Sequence, residues 1–302
     1  MTIALANAAL ELGWELSAVK GTRADLIKVL DGSEMAGLVN VADLRAQQRL
    51  AEARRLFNGF AYEAAGEQLE SLLREAPLSS SLQMVIREQV ALCRAFDAWD
   101  RFDHVQARHL LKPYRERVSP QFDFLLKLTG DDRRATGYEP VIDLVNNAER
   151  RAERGRYAAA VARLYRALEL FAQLRLRFRA PSLDTSNLPV EQLPSELQPR
   201  YLQKRGPAGK VALALVDSYG LLADLQDPLS AAYASRREKL LGALEMRNYS
   251  ILAHGLKPLS RNDYDAMADR VKDMIQAGLA ALGLTVGGTQ FPRLEPHGIV
   301  QR

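Results

Sequence analysis

The chain has 302 residues, of which 47% are apolar, and 41 basic against 37 acidic side chains leave a formal charge of +4. The apolar fraction excludes a disordered chain, the 19 glycines are too few for a loop-rich β fold, and the net charge excludes a polycation. A chain of this length buries a sizeable core and is expected to hold two modules.

The cysteine content and the apolar runs indicate the compartment. Cys93 is the single cysteine, so no disulfide can form within the chain, which suits a reducing cytoplasm. Residues 1–10 carry no basic leader, and no run approaches the ~20 apolar residues of a membrane span. We therefore expect a cytoplasmic protein in which Cys93, close to Leu92 and Phe96, is a small core residue.

Strands are predicted only within residues 1–44. A helix is expected over 2–12, followed by strands over 15–19 and 27–30, which together make a small α/β fragment. Because a two-stranded unit is marginal on its own, we expect docking or dimerisation to stabilise it.

From Asp43 onward, apolar residues recur at helical spacing. Helices are predicted over 62–74, 82–98 and 104–116. An aromatic ring or imidazole is followed three times by Ala at +3 and Leu at +7, which is typical of helical hairpins, but the irregular intervals exclude a regular solenoid. The three sets are Tyr62, Ala65, Leu69; His104, Ala107, Leu111; and Tyr157, Ala160, Leu164.

Two pairs of polar residues in the first half of the chain could in principle bind a metal or act in acid/base chemistry. His104 and His109 point about 140° apart on a helix, which is poor geometry for a shared metal. Because no cysteine or carboxylate cluster has ligand spacing, no metal site and no cofactor are assigned. Asp131 and Asp132 could act as an acid/base pair, but adjacent side chains diverge, and a solvated loop is the favoured interpretation.

Positive charge is concentrated in residues 150–179. Nine arginines there are offset within the segment only by Glu153 and Glu169. They could attract a nucleic-acid backbone through counterion release, or form ordinary salt bridges on a solvated helix face, and both interpretations stay open. The arginines are Arg150, Arg151, Arg154, Arg156, Arg163, Arg166, Arg175, Arg177 and Arg179.

The last helices are predicted from periodicity and caps. One helix is expected from residue 208 toward 225, and another from 261 to about 282, with Ser260 as its N-cap. The apolar stripe of the second helix is predicted to face inward, and the segment from Gly283 is expected to form one short strand or to stay loose. The stripe consists of Met267, Val271, Ile275 and Leu279.

Arg247 and His254 form the most informative pair in the sequence. Seven helical steps of about 100° fall roughly 20° short of two turns, so both side chains leave one face of the helix. Leu240 and Leu244 continue the helical spacing before the pair, and Gly255 indicates the helix stop. If two copies of this helix pack about a two-fold axis, two arginines and two histidines line one cleft suited to a phosphodiester.

The whole segment RNYSILAHG (247–255) resembles the signature of HEPN-domain ribonucleases, and in this form that of the CRISPR-associated CARF-HEPN proteins of type III systems. Residues 148–157 and 159–170 resemble the first helices of the same domain. Residues 57–62 and 98–104 look like the connector that precedes it. Residues 9–15 and 21–34 resemble the closing portion of a CARF domain.

The resemblance implies a metal-independent endoribonuclease of antiviral defence that cleaves single-stranded RNA as a homodimer. His254 would move a proton at the RNA 2′-hydroxyl or the leaving 5′-oxygen, and Arg247 would stabilise the charge on the phosphorane. Asn248 would orient the imidazole or the phosphate. The substrate groove would be lined by Tyr249, Ser250 and Lys257, and Glu169 either anchors Arg247 or forms a structural salt bridge.

The implied architecture is mostly α, with a helical-hairpin connector, a C-terminal HEPN-like bundle and a small N-terminal α/β fragment. The expected limits are 1–44 for a truncated CARF-like fragment, 45–137 for the connector and 138–302 for the ribonuclease domain. Because most of a CARF sheet has no counterpart in 1–44, the resemblance gives little support to binding of cyclic oligoadenylate. A fragment, a shortened protein and a member regulated in another way all fit this departure.

Three further interpretations concern function. Residues 180–210 hold five of the 13 prolines and could cover the cleft, contact RNA through Lys204 and Arg205, or form a surface excursion over the dimer, which is slightly favoured. A non-catalytic helical adaptor that keeps the HEPN shape is the main alternative to the enzyme. A toxin-like protein held in check by an antitoxin is a weaker one.

Overall fold

A computed structural model describes residues 8, 16–20, 35–39, 41–75, 77–248, 256, 258–296 and 298–300. The fold is mostly helical, as predicted. Within the described part of the chain, no helix combines the length and apolar character needed to cross a bilayer. The chain divides into unit 1, with residues 1–118 and 291–302, and unit 2, with residues 119–290.

A two-stranded antiparallel sheet lies at the start of unit 1. It pairs β1 (Leu16–Lys20) with β2 (Met35–Val39). The first strand agrees with the prediction over 15–19, whereas β2 was not predicted, and the strand expected over 27–30 lies outside the described residues. Of the helix expected over 2–12, only Ala8 is described, and it is helical.

Helical hairpins follow, as the repeated spacing predicts. Unit 1 contains α1 (Val41–Asn58), α2 (Tyr62–Glu75), α3 (Ser80–Asp100) and α4 (His104–Leu111), and a 3₁₀ turn (Lys112–Tyr114) follows α4. Cys93 is buried in α3 as expected.

Residues after Phe291 return to unit 1. The Phe291 ring packs 4.8 Å from Trp99 and 4.9 Å from Phe96, measured between ring centroids. The segment then forms a hairpin of β3 (Arg293–Glu295) and β4 (Gly298–Val300). The Asn58 side chain donates to the Leu294 carbonyl at 3.0 Å and accepts from its N–H at 2.8 Å. The expected short strand is therefore present, whereas its pairing with a second strand was not predicted. A buried aromatic ring and an amide pair fix this segment.

Unit 2 is a helical bundle around one long central helix, α7. Among the described residues, α7 packs mainly against α6, α9, α11 and α12. Phe171 and Leu168 of α7 are fully buried at these contacts. The helices are α5 (Ser119–Leu128), α6 (Glu139–Glu153), α7 (Tyr157–Arg177), α8 (Gln198–Leu202), α9 (Leu215–Asp224), α10 (Pro228–Ala234), α11 (Arg237–Asn248) and α12 (Arg261–Ala281).

The α12 helix follows its sequence prediction closely. Ser260 accepts a hydrogen bond from the Asp263 N–H, and the Asp263 side chain accepts from the Ser260 N–H, which completes a capping box. The predicted apolar stripe is buried, with 0 to 6% of each residue exposed. Its members are Met267, Val271, Ile275 and Leu279.

The proline-rich segment (180–210) packs against the rest of unit 2. Leu188 and Tyr201 are buried, and the Leu188 N–H donates to the Val211 carbonyl at 2.8 Å. The Leu213 N–H donates to the Thr185 carbonyl, also at 2.8 Å. These bonds hold the backbone extended, so α9 begins at Leu215, and the prediction of a helix from residue 208 was wrong.

Candidate active site

The helix α11 carries the start of the predicted motif. Its backbone is described to Asn248, so Arg247 and Asn248 lie at its C-terminal end. Their side chains are outside the described part of the chain, as are Tyr249, Ser250 and His254 in full. Lys257 is also outside it. The predicted roles of these residues stay predictions.

The first turns of α11 pack into the bundle through Leu240 and Leu241. Leu240 is fully buried in the core of unit 2. By contrast, Arg237, Glu238 and Lys239 are exposed. The amphipathic spacing therefore orients the helix by burying one stripe and leaving the charged side chains in solvent.

Polar contacts from α12 add to this anchor. Arg236, which precedes α11, pairs with Asp273 of α12 at 2.7 Å. Arg270 of α12 donates to the Lys239 carbonyl at 3.3 Å. The Asp273 side chain is 62% exposed, so the pair contributes little to stability but restricts where α11 begins.

The arginine-rich segment is largely occupied by contacts within unit 2. Arg150 is 1% exposed and donates to the Gln290 side chain at 2.8 Å. Arg175 and Arg179 bind the buried carboxylate of Asp227, each at 2.8 Å. For these three arginines the interpretation as ordinary salt bridges and hydrogen bonds is supported over a nucleic-acid surface.

Glu169 has a partner on its own helix. Its carboxylate lies 3.1 Å from Arg166, one turn before it, and the same guanidinium donates to Gln173 at 2.8 Å. This contact agrees with the structural salt bridge that the sequence left open beside an anchoring role for Arg247.

Asp131 and Asp132 lie in a hydrogen-bonded turn. Asp132 accepts from the backbone N–H and the guanidinium of Arg134, and these bonds lower the pKa of its carboxyl to about 2. Asp131 accepts from the Thr129 hydroxyl at 2.5 Å. A carboxyl ionised at every ordinary pH and tied to its own turn is a poor general acid, which agrees with the solvated-loop interpretation.

A cavity next to the start of α11 has no counterpart in the sequence predictions. Its volume is about 290 Å³, and Arg237 contributes to its lining. The other walls come from α8, α9 and α10. Of the two basic residues that the sequence analysis named in the proline-rich segment, Lys204 lines the cavity and Arg205 does not. The cavity itself could not be predicted, because it depends on residues that are distant along the chain.

A comparison with known protein families identifies one part of the chain. The family model of the Csm6 HEPN domain matches residues 131–277, which include α6, α7, α11 and the whole segment 247–255. No curated protein matches the chain. A domain of this type indicates an RNase-type function associated with CRISPR systems. Residues 131–277, just under half of the chain, therefore match the Csm6 HEPN domain and support a place in the CRISPR-associated HEPN ribonuclease family.

Proposed function

We propose that the protein is a metal-independent endoribonuclease of CRISPR antiviral defence that cleaves single-stranded RNA at a site shared by two copies of the chain. One observation carries the proposal: the matched region contains the complete segment from Arg247 to His254, and the helix that leads into it is anchored by the buried Leu240. The domain limits at 44 and 137 are part of the same proposal.

The proposed reaction uses the substrate's own nucleophile. The RNA 2′-oxygen attacks the adjacent phosphorus, the 5′-oxygen leaves, and a 2′,3′-cyclic phosphate remains. His254 takes the proton from the 2′-hydroxyl or gives one to the 5′-oxygen, since an imidazole exchanges protons near neutral pH. Arg247 stabilises the extra negative charge on the phosphorane, because a guanidinium stays charged and can bind two oxygens at once.

The remaining motif residues have supporting roles in the proposal. Asn248 orients the imidazole or the phosphate through its amide. Tyr249, Ser250 and Lys257 line the groove and bind the RNA chain on either side of the cleaved bond. Because the RNA supplies the nucleophile, His254 moves the proton and Arg247 supplies the positive charge, the proposed chemistry needs no metal ion.

The proposed dimer follows from the reach of one helix. Seven helical residues rise about 10.5 Å, so Arg247 and His254 of one chain cannot both touch one phosphate directly. A two-fold axis brings the arginine of one copy close to the histidine of the other.

RNA cleavage in EDTA tests the proposal. We expect the wild type to cleave single-stranded RNA, and Arg247→Ala and His254→Ala each to lose at least about a hundredfold in rate, because one acid/base group contributes about 10²–10⁴-fold. Arg115→Ala and His109→Ala are matched controls, since both side chains are exposed and lie outside the arginine-rich segment, and they should cleave like the wild type.

Two outcomes oppose the proposal. Absence of cleavage by the wild type under all conditions would favour the non-catalytic adaptor. A chain that cleaves RNA but runs as a monomer at all concentrations in size-exclusion chromatography would contradict the shared site.

A further inference from the structure

The cavity beside α11 lies where the proline-rich segment meets α9 and α10, and the proposed mechanism does not use it. A volume of about 290 Å³ is close to the lower limit of small-molecule sites. Its lining combines cationic and aromatic side chains. The lining residues used below are Arg200, Lys204, Asp217, Tyr219, Tyr233 and Arg237.

The charges around the cavity are unevenly paired. Arg200 binds Asp224 at 2.8 Å, and Lys204 binds Asp217 at 2.8 Å. Arg237 is exposed and has no ion-pair partner among the residues that the structure describes. One guanidinium at the cavity therefore remains available to an anion.

Two stacked tyrosines form the wall beside Arg237. The rings of Tyr219 and Tyr233 are 4.0 Å apart and nearly parallel, at 9°. The Tyr219 hydroxyl donates to the Leu168 carbonyl at 3.1 Å, so it is fully used inside the core.

The Tyr233 hydroxyl is different, because it is buried and makes no hydrogen bond to any described residue. Burial raises the pKa of this hydroxyl, and the nearby Arg237 guanidinium lowers it by less. The hydroxyl therefore keeps its proton at neutral pH and can act as a donor. A buried hydroxyl without a partner is costly, and a ligand oxygen at this wall would remove that cost.

The position of Arg237 connects the cavity to the motif. Arg237 and Arg247 belong to the same helix, ten residues apart, which corresponds to ~15 Å along the axis and roughly 80° around it. A single RNA strand held at Arg247 reaches Arg237 within a few nucleotides. An extended groove with cations and aromatic side chains is the usual means of binding single-stranded nucleic acid.

We propose that this cavity is a substrate subsite that binds one nucleotide of the RNA a few positions from the cleaved bond, with the phosphate held by Arg237 and the Tyr233 hydroxyl. The inference rests on the proposed ribonuclease function. It adds a contact with the RNA that is separate from the contacts proposed for the motif residues.

Steady-state cleavage of two RNAs tests the subsite. One RNA spans only the cleaved bond, and the other has about twelve nucleotides, within the range that such grooves cover. We expect the wild type to have a lower KM for the longer RNA. Arg237→Ala should raise the KM for the longer RNA about tenfold, the effect of losing roughly one charged contact, while its kcat stays within about twofold of the wild type.

Lys239→Ala is the matched control, because it removes the same charge from the same helix but Lys239 does not line the cavity. It should keep the KM of the wild type. The Tyr233→Phe variant separates an effect on RNA binding from an effect on folding. Removing an unpaired buried hydroxyl should raise the melting temperature, whereas the KM for the longer RNA should rise severalfold. An equal KM for Arg237→Ala and Lys239→Ala would overturn the subsite.

Binding of labelled RNA distinguishes failure of the subsite from failure of the proposed function. If the wild type does not cleave, the ribonuclease proposal fails, and the affinity for the twelve-nucleotide RNA, measured by fluorescence anisotropy, decides the subsite. Weaker binding by Arg237→Ala than by Lys239→Ala supports the subsite. Equal binding by the two variants, or absence of binding by the wild type, refutes it.

Discussion

The Arg175 guanidinium lies against the buried carboxylate of Asp227, with its Nε atom 2.8 Å from one oxygen and 3.1 Å from the other. Arg179 donates to the same carboxylate at 2.8 Å, and the Leu229 N–H donates to it at 3.1 Å. The Asp227 side chain is fully buried. It therefore joins the end of α7 to the start of α10 through one charge.

Replacing Asp227 by Asn should destabilise unit 2. The change keeps the shape of the side chain and the helix cap but leaves two arginines without their counter-charge. We expect the free energy of unfolding to fall by about 2–3 kcal/mol, a moderate loss because both arginines are partly exposed. Asp273→Asn is the control, because its pair with Arg236 is mostly in solvent and should cost under about 1 kcal/mol. Urea unfolding followed by circular dichroism measures both, and equal losses would contradict the role of the buried carboxylate.

Gly278 allows α12 to approach α7 and α10. A Cβ at this position would lie 2.5 Å from the Leu229 side chain and 2.5 Å from the Phe171 ring. We expect Gly278→Ala to destabilise the bundle by about 1–2 kcal/mol, because overlap in the core outweighs the better helix propensity of alanine. Gly242→Ala in α11 has open space and should instead stabilise by up to about 1 kcal/mol. Thermal unfolding distinguishes the two, and a stabilised Gly278→Ala variant would refute the close contact.

The Cys93 thiol should be inert in the native protein. It is 1% exposed, and burial raises its pKa to about 12, so the reactive thiolate is almost absent at pH 8. We expect no reaction with a thiol reagent within an hour under native conditions and complete reaction in urea. Rapid native labelling would show that the core of unit 1 opens readily.

Leu240 should matter for cleavage although it lies more than one turn before the motif. Leu240→Ala removes the fully buried side chain that docks α11, so we expect a loss of about 2–4 kcal/mol in stability and a reduced cleavage rate at temperatures where the variant stays folded. Glu238→Ala, on the exposed side of the same helix, should change neither. Normal cleavage by folded Leu240→Ala would show that docking of α11 does not position the motif.

Local patterns predicted a large part of this fold correctly. The α12 helix with its Ser260 cap and the hairpin helices of unit 1 follow from spacing and capping residues. They could be predicted because a helix depends on neighbours within a few residues. The motif was also recognised from its sequence, and the family match covers it, whereas the geometry of its side chains stays a prediction.

The misses have a common physical origin. The start of α9 was misplaced because hydrogen bonds to Thr185 and from Leu188 hold the preceding residues extended. Likewise, Phe291 entered an aromatic core formed more than a hundred residues earlier in the chain. In both cases the decisive partner lies far along the sequence and leaves no local pattern.

The sequence by itself determined the helical class, the position of the helix that bears the motif, and the match of residues 131–277 to the Csm6 HEPN domain. Only the tertiary structure decided that Arg175 neutralises a buried Asp227. It also decided that Arg237 borders a cavity and has no ion-pair partner among the described residues. The reason is that periodicity specifies which face of a helix is apolar, while the pairing of a charge depends on which distant side chain packing brings beside it.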